Sequence, residues 1–386
     1  MRILHTADWH LGKKLGRIDR RSEFEQALDE LVAIARAQKV DLVVVSGDLL
    51  DRVMPPLDWL ALALDTLVRL ADAAGHVVAI AGNHDSPPLF ELLAPLLRPR
   101  GIVLAPRVAR PERGGVVTVP SRDGAESASV ALLPFLQEAE VVDFMASSEE
   151  WFKGYETKVR LLARALCAAI GPETVGIFAG HFFVAGAELG GGERRIHIGP
   201  QYAATAHAIP GSVQYAALGH VHRPQEVPGA AVRTRYAGSL LQLDFSERTH
   251  SKEVVIVEAS VGRPPTIDTI PLASGRRLIR IEDTLEGLQS RAEELTGAYL
   301  DVRVKTGGPV FGLADQVRTL LPGAVMVQAT WERPPAEPAR APAPDRSLAE
   351  LYAEFHASPR GHGAGAPREL IEALSELEEE VVRAAP

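Results

Sequence analysis

Residues 78–86 read V-A-I-A-G-N-H-D-S, an apolar run that stops at Gly82 and then presents an amide, an imidazole and a carboxylate on consecutive residues. The apolar half suits a buried strand, and the glycine marks a turn at its C-terminal end. No hydrophobic core requires Asn83, His84 and Asp85 in a row. A small carboxamide oxygen beside a histidine and an aspartate suits a hard metal ion with a proton donor standing over it. Alone, the stretch also reads as a polar turn, so its meaning depends on its neighbours.

The same pattern recurs on both sides. Residues 2–7, R-I-L-H-T-A, form a short strand that delivers Asp8 and His10, whose spacing of two puts both side chains on one face of an extended chain. Residues 41–46, D-L-V-V-V-S, are the kind of uninterrupted apolar strand buried in a parallel sheet, and they run into Gly47, Asp48 and Asp51. Between these strands lie two helices. Phe24, Leu28, Leu31, Val32 and Ala35 recur at helical spacing behind a Ser22/Glu25 capping box, and residues 57–74 are opened by Pro55-Pro56 and closed by Gly75. Strand, helix, strand, helix, strand is the doubly wound α/β pattern, which binds ligands at the carboxyl ends of its strands.

Further along, shorter strands are expected at 116–119 and 129–133, then a helix over 155–170. Residues 174–179 form another apolar strand ending in Gly180-His181, and residues 214–218 end in Gly219-His220-Val221-His222. The segment 235–245 and a strand over 253–259 are expected to complete a second sheet.

Composition narrows the chemistry. Across 386 residues, 46% apolar and 24% charged, the chain has room for one large domain and a smaller one. Cys167 is the single cysteine, which excludes an internal disulfide and a thiolate-rich zinc site, so any metal must use His, Asp, Glu or Asn. The net charge of −9 argues against a broadly basic protein that coats nucleic acid. A local basic run, Lys13, Lys14, Arg17, Arg20 and Arg21, reads either as a solvated turn or as a strip of phosphate contacts. Neither a secretory signal nor an apolar run of spanning length is expected, and the cytoplasm is the expected compartment.

The organisation follows from changes of character along the chain. Residues 1–270 carry all the strand-end ligands; residues 271–332 make a small α+β unit without metal-type residues; residues 333–345 are a Pro/Ala linker. Residues 346–386 hold two short amphipathic helices, one marked by Leu348, Leu351, Tyr352 and Phe355 and the other by Leu370, Leu374, Leu377 and Val381. So small a pair is expected to dock on another helix or coiled coil. Helix 57–74 is apolar around most of its circumference, so a neighbouring helix or a second copy of the chain must cover it. The loop 188–195, with Gly190, Gly191 and Gly192, is expected to be a mobile surface loop.

Gathered together, the strand-end residues are Asp8, His10, Asp48, Asn83, His84, His181, His220 and His222, enough for two metal ions with the centrally placed Asp48 as bridge. Imidazole and oxygen donors without sulfur favour Mn²⁺, with Mg²⁺, Fe²⁺ and Zn²⁺ as alternatives. Two ions roughly 3.5–4 Å apart lower the pKa of a shared water and clamp both oxygens of an in-line phosphoryl displacement.

In this order, D-x-H, G-D-x-x-D, G-N-H-D, G-H and G-H-x-H resemble the calcineurin-like metallophosphoesterase superfamily. The stretches D-W-H-L-G, A-G-N-H-D-S, A-L-G-H-V-H-R-P-Q and R-Y-A-G-S further resemble its bacterial nuclease subunits that work with an SMC-like ATPase. The resemblance implies a two-sheet, β-sandwich-like α/β core flanked by helices, with a small α+β capping domain and a C-terminal helical pair. It implies that Asp8, His10, Asp48 and His222 hold one ion and that Asp48, Asn83, His181 and His220 hold the other. His84 is then the acid for the leaving 3′ oxygen, with Asp85 orienting it. It also implies a homodimer, double-stranded DNA ends or hairpins as substrate, and helices that dock on the coiled coil of the ATPase; no DNA-contacting residue is assigned. The sequence departs from the expected pattern at Gly190–Gly192, where a more polar, serine-rich stretch is expected. Two other readings use the same residues: a phosphatase or phosphodiesterase of small molecules, and a non-catalytic scaffold of the same fold.

Overall fold

The computed structural model describes residues 1–136, 154–193, 203–331, 346–358 and 365–384. Its first half alternates as expected: β1 (Arg2–Thr6), α1 (Arg21–Ala37), β2 (Leu42–Val45), α2 (Leu57–Ala74), β3 (His76–Ile80), α3 (Pro87–Leu97) and β4 (Ile102–Ala105). These four strands run parallel. A second set follows: β5 (Val116–Pro120), β6 (Ser127–Leu133), α4 (Tyr155–Ala168), β7 (Val175–His181), the short pair β8 (Phe183–Val184) and β9 (Ala203–Ala204), β10 (Tyr215–Gly219), β11 (Gln225–Glu226) and β12 (Arg233–Tyr236). Then come β13 (Glu253–Glu258) and β14 (Thr266–Pro271).

Two six-stranded sheets result, ordered β14-β13-β1-β2-β3-β4 and β11-β12-β10-β7-β6-β5. Strand alternation builds the layers, because successive side chains leave a strand on opposite faces. Leu42 and Val44 enter the apolar layer between the sheets with Val130, Ile177 and Ala217. Val43 and Val45 point the other way, into the layer that α1 and α2 cover with Leu28, Leu31 and Leu67. The outer face of the second sheet is covered by α4 through Val159, Leu162 and Leu166. The architecture is a two-sheet sandwich with helices on both outsides.

Two sequence expectations change. Residues 253–258 do not join the second sheet; β13 pairs antiparallel with β1, Val255 opposite His5, in the first. Both of its faces are buried there, Val255 and Val257 inward and Val254 and Ile256 toward α1. The Ser22/Glu25 capping box is absent: α1 begins at Arg21, its N-cap Arg20 makes no side-chain cap bond, and Asp19 Oδ1 takes the Arg21 amide at 2.9 Å instead. The helix thus starts two residues earlier than that box would place it, and the Arg20 side chain is fixed elsewhere, 2% exposed and paired with Glu23 at 2.6 Å.

Residues Met1–Thr330 form one compact unit and Trp331–Pro386 a second. The first unit includes a three-stranded parallel sheet, β15 (Leu278–Asp283), β16 (Tyr299–Lys305) and β17 (Ala324–Thr330), with α5 (Leu285–Ser290) and α6 (Leu313–Leu320). It has its own core around Leu288, Val302 and Val317. The second unit holds α7 (Leu348–Ala357), opened by a Ser347/Glu350 capping box, and α8 (Arg368–Ala384). The Pro/Ala linker at 333–345 lies outside the described residues. No helix among the described residues is long and apolar enough to cross a membrane.

Candidate metal centre

The C-terminal ends of β1, β2, β3, β7 and β10 deliver the singled-out side chains to one place. At the ends of β2 and β3 the chain turns where a larger residue would clash, a Cβ on Gly47 lying 2.2 Å from His181 Nδ1. A Cβ on Gly82 would lie 2.1 Å from Asp48 Oδ1, so only glycine lets the β3 turn pass over the β2 carboxylate. All of Asp8, His10, Asp48, Asn83, His84, Asp85, His181, His220 and His222 are buried.

Ligand atoms of Asp8, His10 and His222 lie within 4.8 Å of one another, as do those of Asp8, Asp48 and His181, and of His10, Asp48 and His84. Asn83 Oδ1 sits 3.0 Å from His181 Nε2 and 2.8 Å from His220 Nδ1. Asp48 Oδ2 is 3.4 Å from His10 Nε2 and 3.4 Å from His181 Nε2, which puts it on the border between the clusters.

Proton placement tests whether cations fit. His181 Nδ1 lies 2.7 Å from the Ser46 carbonyl, which can only accept, so a neutral ring keeps its lone pair on Nε2. That lone pair faces the Asn83 oxygen and, at 3.3 Å, His220 Nδ1. His222 Nδ1 likewise meets a carboxylate, Glu247 Oε1 at 3.1 Å, and turns Nε2 toward His10 Nε2 at 3.0 Å. Acceptors aimed at acceptors are what a pair of divalent cations resolves, and outer partners that fix ring orientation are the usual companions of metal-binding histidines. The donor set fits such ions.

The electrostatics are mixed: burial would lower the His181 imidazole, yet the Asp48 and Asp8 carboxylates bring it up to about 9, so a cation there competes with a ring proton. Burial brings the His10 imidazole down to about 4, leaving it in the neutral, ligating form. Burial pushes Asp8 up to about 6, a strain that a neighbouring cation relieves. Burial would also raise Asp48, yet His181, His84 and His10 around it hold that carboxylate well below its usual range.

The Asp85 side chain is held by backbone amides. Its carboxylate accepts from the amides of Gly82 (2.9 Å), Leu50 (3.0 Å) and Leu49 (3.3 Å), tying the β2 and β3 turns together. Burial pushes it up to about 7. Beside the His84 ring stands Asp51, whose carbonyl lies 2.9 Å from Nδ1 and whose Oδ1 lies 3.9 Å away. The second aspartate of G-D-L-L-D carried that signal in the sequence. Glu247, Glu193 and Phe135, whose ring stacks on His220 at 6.0 Å, had none. The basic run is mostly spoken for: Arg20 is buried, Arg21 pairs with Glu25 and Asp58, and Lys13 pairs with Asp51, so Lys14 and Arg17 are its exposed members.

A family profile described as calcineurin-like phosphoesterase matches residues 1–224, and the chain belongs to that family. It is 31% identical to SbcD, the D component of nuclease SbcCD, of Bacillus subtilis (strain 168), over 98% of this chain and 97% of that one. Proteins of the same name from Escherichia coli (strain K12), 29% identical over 83% of this chain and 82% of that one, and from Rhodobacter capsulatus, 34% identical over 70% and 69%, also match. Within the family the chain thus stands in the SbcD group. The site and the family together define a metal-dependent phosphoester hydrolase.

Proposed function

We propose that this chain is the nuclease subunit of a complex with the SMC-like ATPase SbcC and hydrolyses DNA phosphodiesters, as a 3′–5′ exonuclease on duplex ends and an endonuclease on hairpins and single strands. The observation that carries the reading is Asp48, held between His10 and His181 at 3.4 Å each, with the His84 amide donating to its other oxygen at 2.8 Å. Two divalent ions, Mn²⁺ for such a sulfur-free imidazole and oxygen set, supply Lewis acidity and an activated water when bound. Asp8, His10, Asp48 and His222 would hold one, and Asp48, Asn83, His181 and His220 the other. The Asp51 carbonyl accepts from His84 Nδ1 and so fixes the ring, and in its imidazolium form the ring donates the Nε2 proton to the leaving 3′ oxygen.

The domain assignments follow this reading: residues 1–270 form the nuclease domain, 271–332 a capping and DNA-binding domain, 333–345 a linker and 346–386 the segment that docks on the coiled coil. Leu57, Leu92 and Leu96 of α2 and α3 are 81%, 67% and 68% exposed, and a second copy of the chain would cover them. With DNA as substrate, the compartment is the cytoplasm, at the nucleoid. The test is Mn²⁺-dependent cleavage of labelled duplex and single-stranded DNA by wild type and His84→Ala, with and without the ATPase. Wild-type cleavage reduced about 10²–10⁴-fold in the variant is expected. Equal cleavage by His84→Ala removes the acid role; turnover of small phosphodiesters without any DNA cleavage moves the assignment to a small-molecule phosphodiesterase.

A further inference from the structure

The motif G-H-V-H accounts for His222 but not for what stands behind it. Glu247, fully buried, places Oε1 3.1 Å from His222 Nδ1. Its Oε2 accepts from Lys252 Nζ at 2.7 Å and from the Leu243 amide at 3.1 Å. Lys252, itself 7% exposed, also donates to Ser239 Oγ at 2.7 Å and to the carbonyl of His222 at 2.9 Å. From the opposite side Glu193 Oε1 accepts the His222 amide at 3.0 Å and the Gly190 amide at 2.7 Å, while Oε2 takes the Gly191 amide at 2.6 Å. Ring, amide and carbonyl of one histidine are each held by a charged side chain.

Residues 188–193 of the glycine-rich loop, expected to be a mobile surface loop, are seated on this arrangement, and residues 194–195 lie outside the described residues. A Cβ at Gly192 would lie 2.7 Å from Glu247 Oε1 and 2.9 Å from His222 Nδ1, so glycine is what lets the loop close over the pair. A buried ion pair is a weak device for stability, since an apolar pair of the same volume packs as well. Its partners here converge on His222 and on residues 239–252, the strap that carries Glu247 itself.

We infer that Glu247, fixed by Lys252, is the positioning residue of His222: it keeps the ring proton on Nδ1 and Nε2 directed at His10, while Glu193 clamps the backbone of the same histidine. The inference rests on the two-ion reading given above. It makes the cluster of Asp8, His10 and His222 dependent on Glu247. The Asn83 cluster takes its orientation from another source, since His181 is fixed by the Ser46 carbonyl.

The experiment is a Mn²⁺ titration of the full chain, free ion being read by electron paramagnetic resonance, with thermal unfolding in chelator alongside. The variants are Glu247→Gln, which keeps an acceptor oxygen for Nδ1, and the double variant Glu247→Leu/Lys252→Met, which removes the ion pair without stranding a charge. Wild type is expected to bind two ions. In the double variant one of the two constants weakens about 10–100-fold and the other holds, as loss of an outer partner does elsewhere. Glu247→Gln recovers part of that loss. Two wild-type constants in the double variant overturn the inference and leave the two-ion reading standing. Equal weakening of both, accompanied by a lower unfolding temperature, assigns the pair to structure and overturns it as well. Fewer than two ions on the wild type itself overturns the two-ion reading, and the inference with it.

Discussion

Among the described residues, five non-glycine residues have φ in the left-handed region, and four are Asp8 (51°), His10 (48°), Asp48 (54°) and His220 (98°). Such conformations cost of order 1–3 kcal/mol each and persist where the surroundings over-determine them. The strain is therefore concentrated on the strand-end ligands. His5 illustrates a different burial: three residues before Asp8, it lies fully buried with Nδ1 2.9 Å from the Tyr215 hydroxyl, and burial brings it down to about 3. Above the unfolded value of 6.5 it is neutral in both states and contributes no pH dependence. As the pH falls from there to about 3, the unfolded chain takes up a proton that the folded one refuses, so stability declines by about a factor of ten in the folding constant per pH unit. His5→Gln, urea-unfolded in chelator between about pH 4 and 6, should therefore lose one proton from the slope of stability against pH. Slopes identical to wild type would refute the assignment. The candidate ligands were legible in the sequence because each follows an apolar run by one to four residues. Glu247 was not, since an acidic residue in D-F-S-E-R looks solvated until Lys252, Ser239 and His222 are folded around it.

At the scale of elements, α2 is the clearest success of local reading. Pro55-Pro56 opens it and Gly75, at φ 91°, closes it, so its 18 residues match the expected span. Its Trp59, Leu67 and Leu70 are buried against α1 and the first sheet. Leu57, together with Leu92 and Leu96 of α3, is left to solvent. Leu92→Glu/Leu96→Glu is expected to convert a dimeric wild type into a monomer in sedimentation, with unchanged circular dichroism. A monomeric wild type, or a variant that stays dimeric, sinks that interface. By contrast β4 carried too little signal, four residues without flanking motif, and β13 was assigned to the wrong sheet. E-V-V-I-V-E suits either sheet; which edge it reaches depends on pairing with β1 across more than two hundred residues, and periodicity does not carry that information.

For the molecule as a whole, the second unit leaves Leu348, Leu351, Phe355, Leu370 and Leu377 exposed, an apolar surface on a helical pair that buries only Ala349 among its described residues. Deleting residues 347–386 should abolish capture of the ATPase while Mn²⁺ binding and hydrolysis of a small phosphodiester persist. Undiminished capture would remove the docking role, and loss of metal binding would show the unit to be needed for the fold of the first. By itself the sequence determined the candidate ligands and the parallel alternation of β1 to β3, because each is written locally as an apolar run, a glycine and a polar residue, while the two-sheet sandwich came from the family resemblance. The tertiary structure alone decided that Asp51 stands beside the His84 ring, 33 residues away, that Glu247 backs His222 from 25 residues away, and that His10 meets His222 across 212. Those relations arise from chain closure and shared burial, and no pattern within a strand or helix records which distant carboxylate a ring nitrogen will meet.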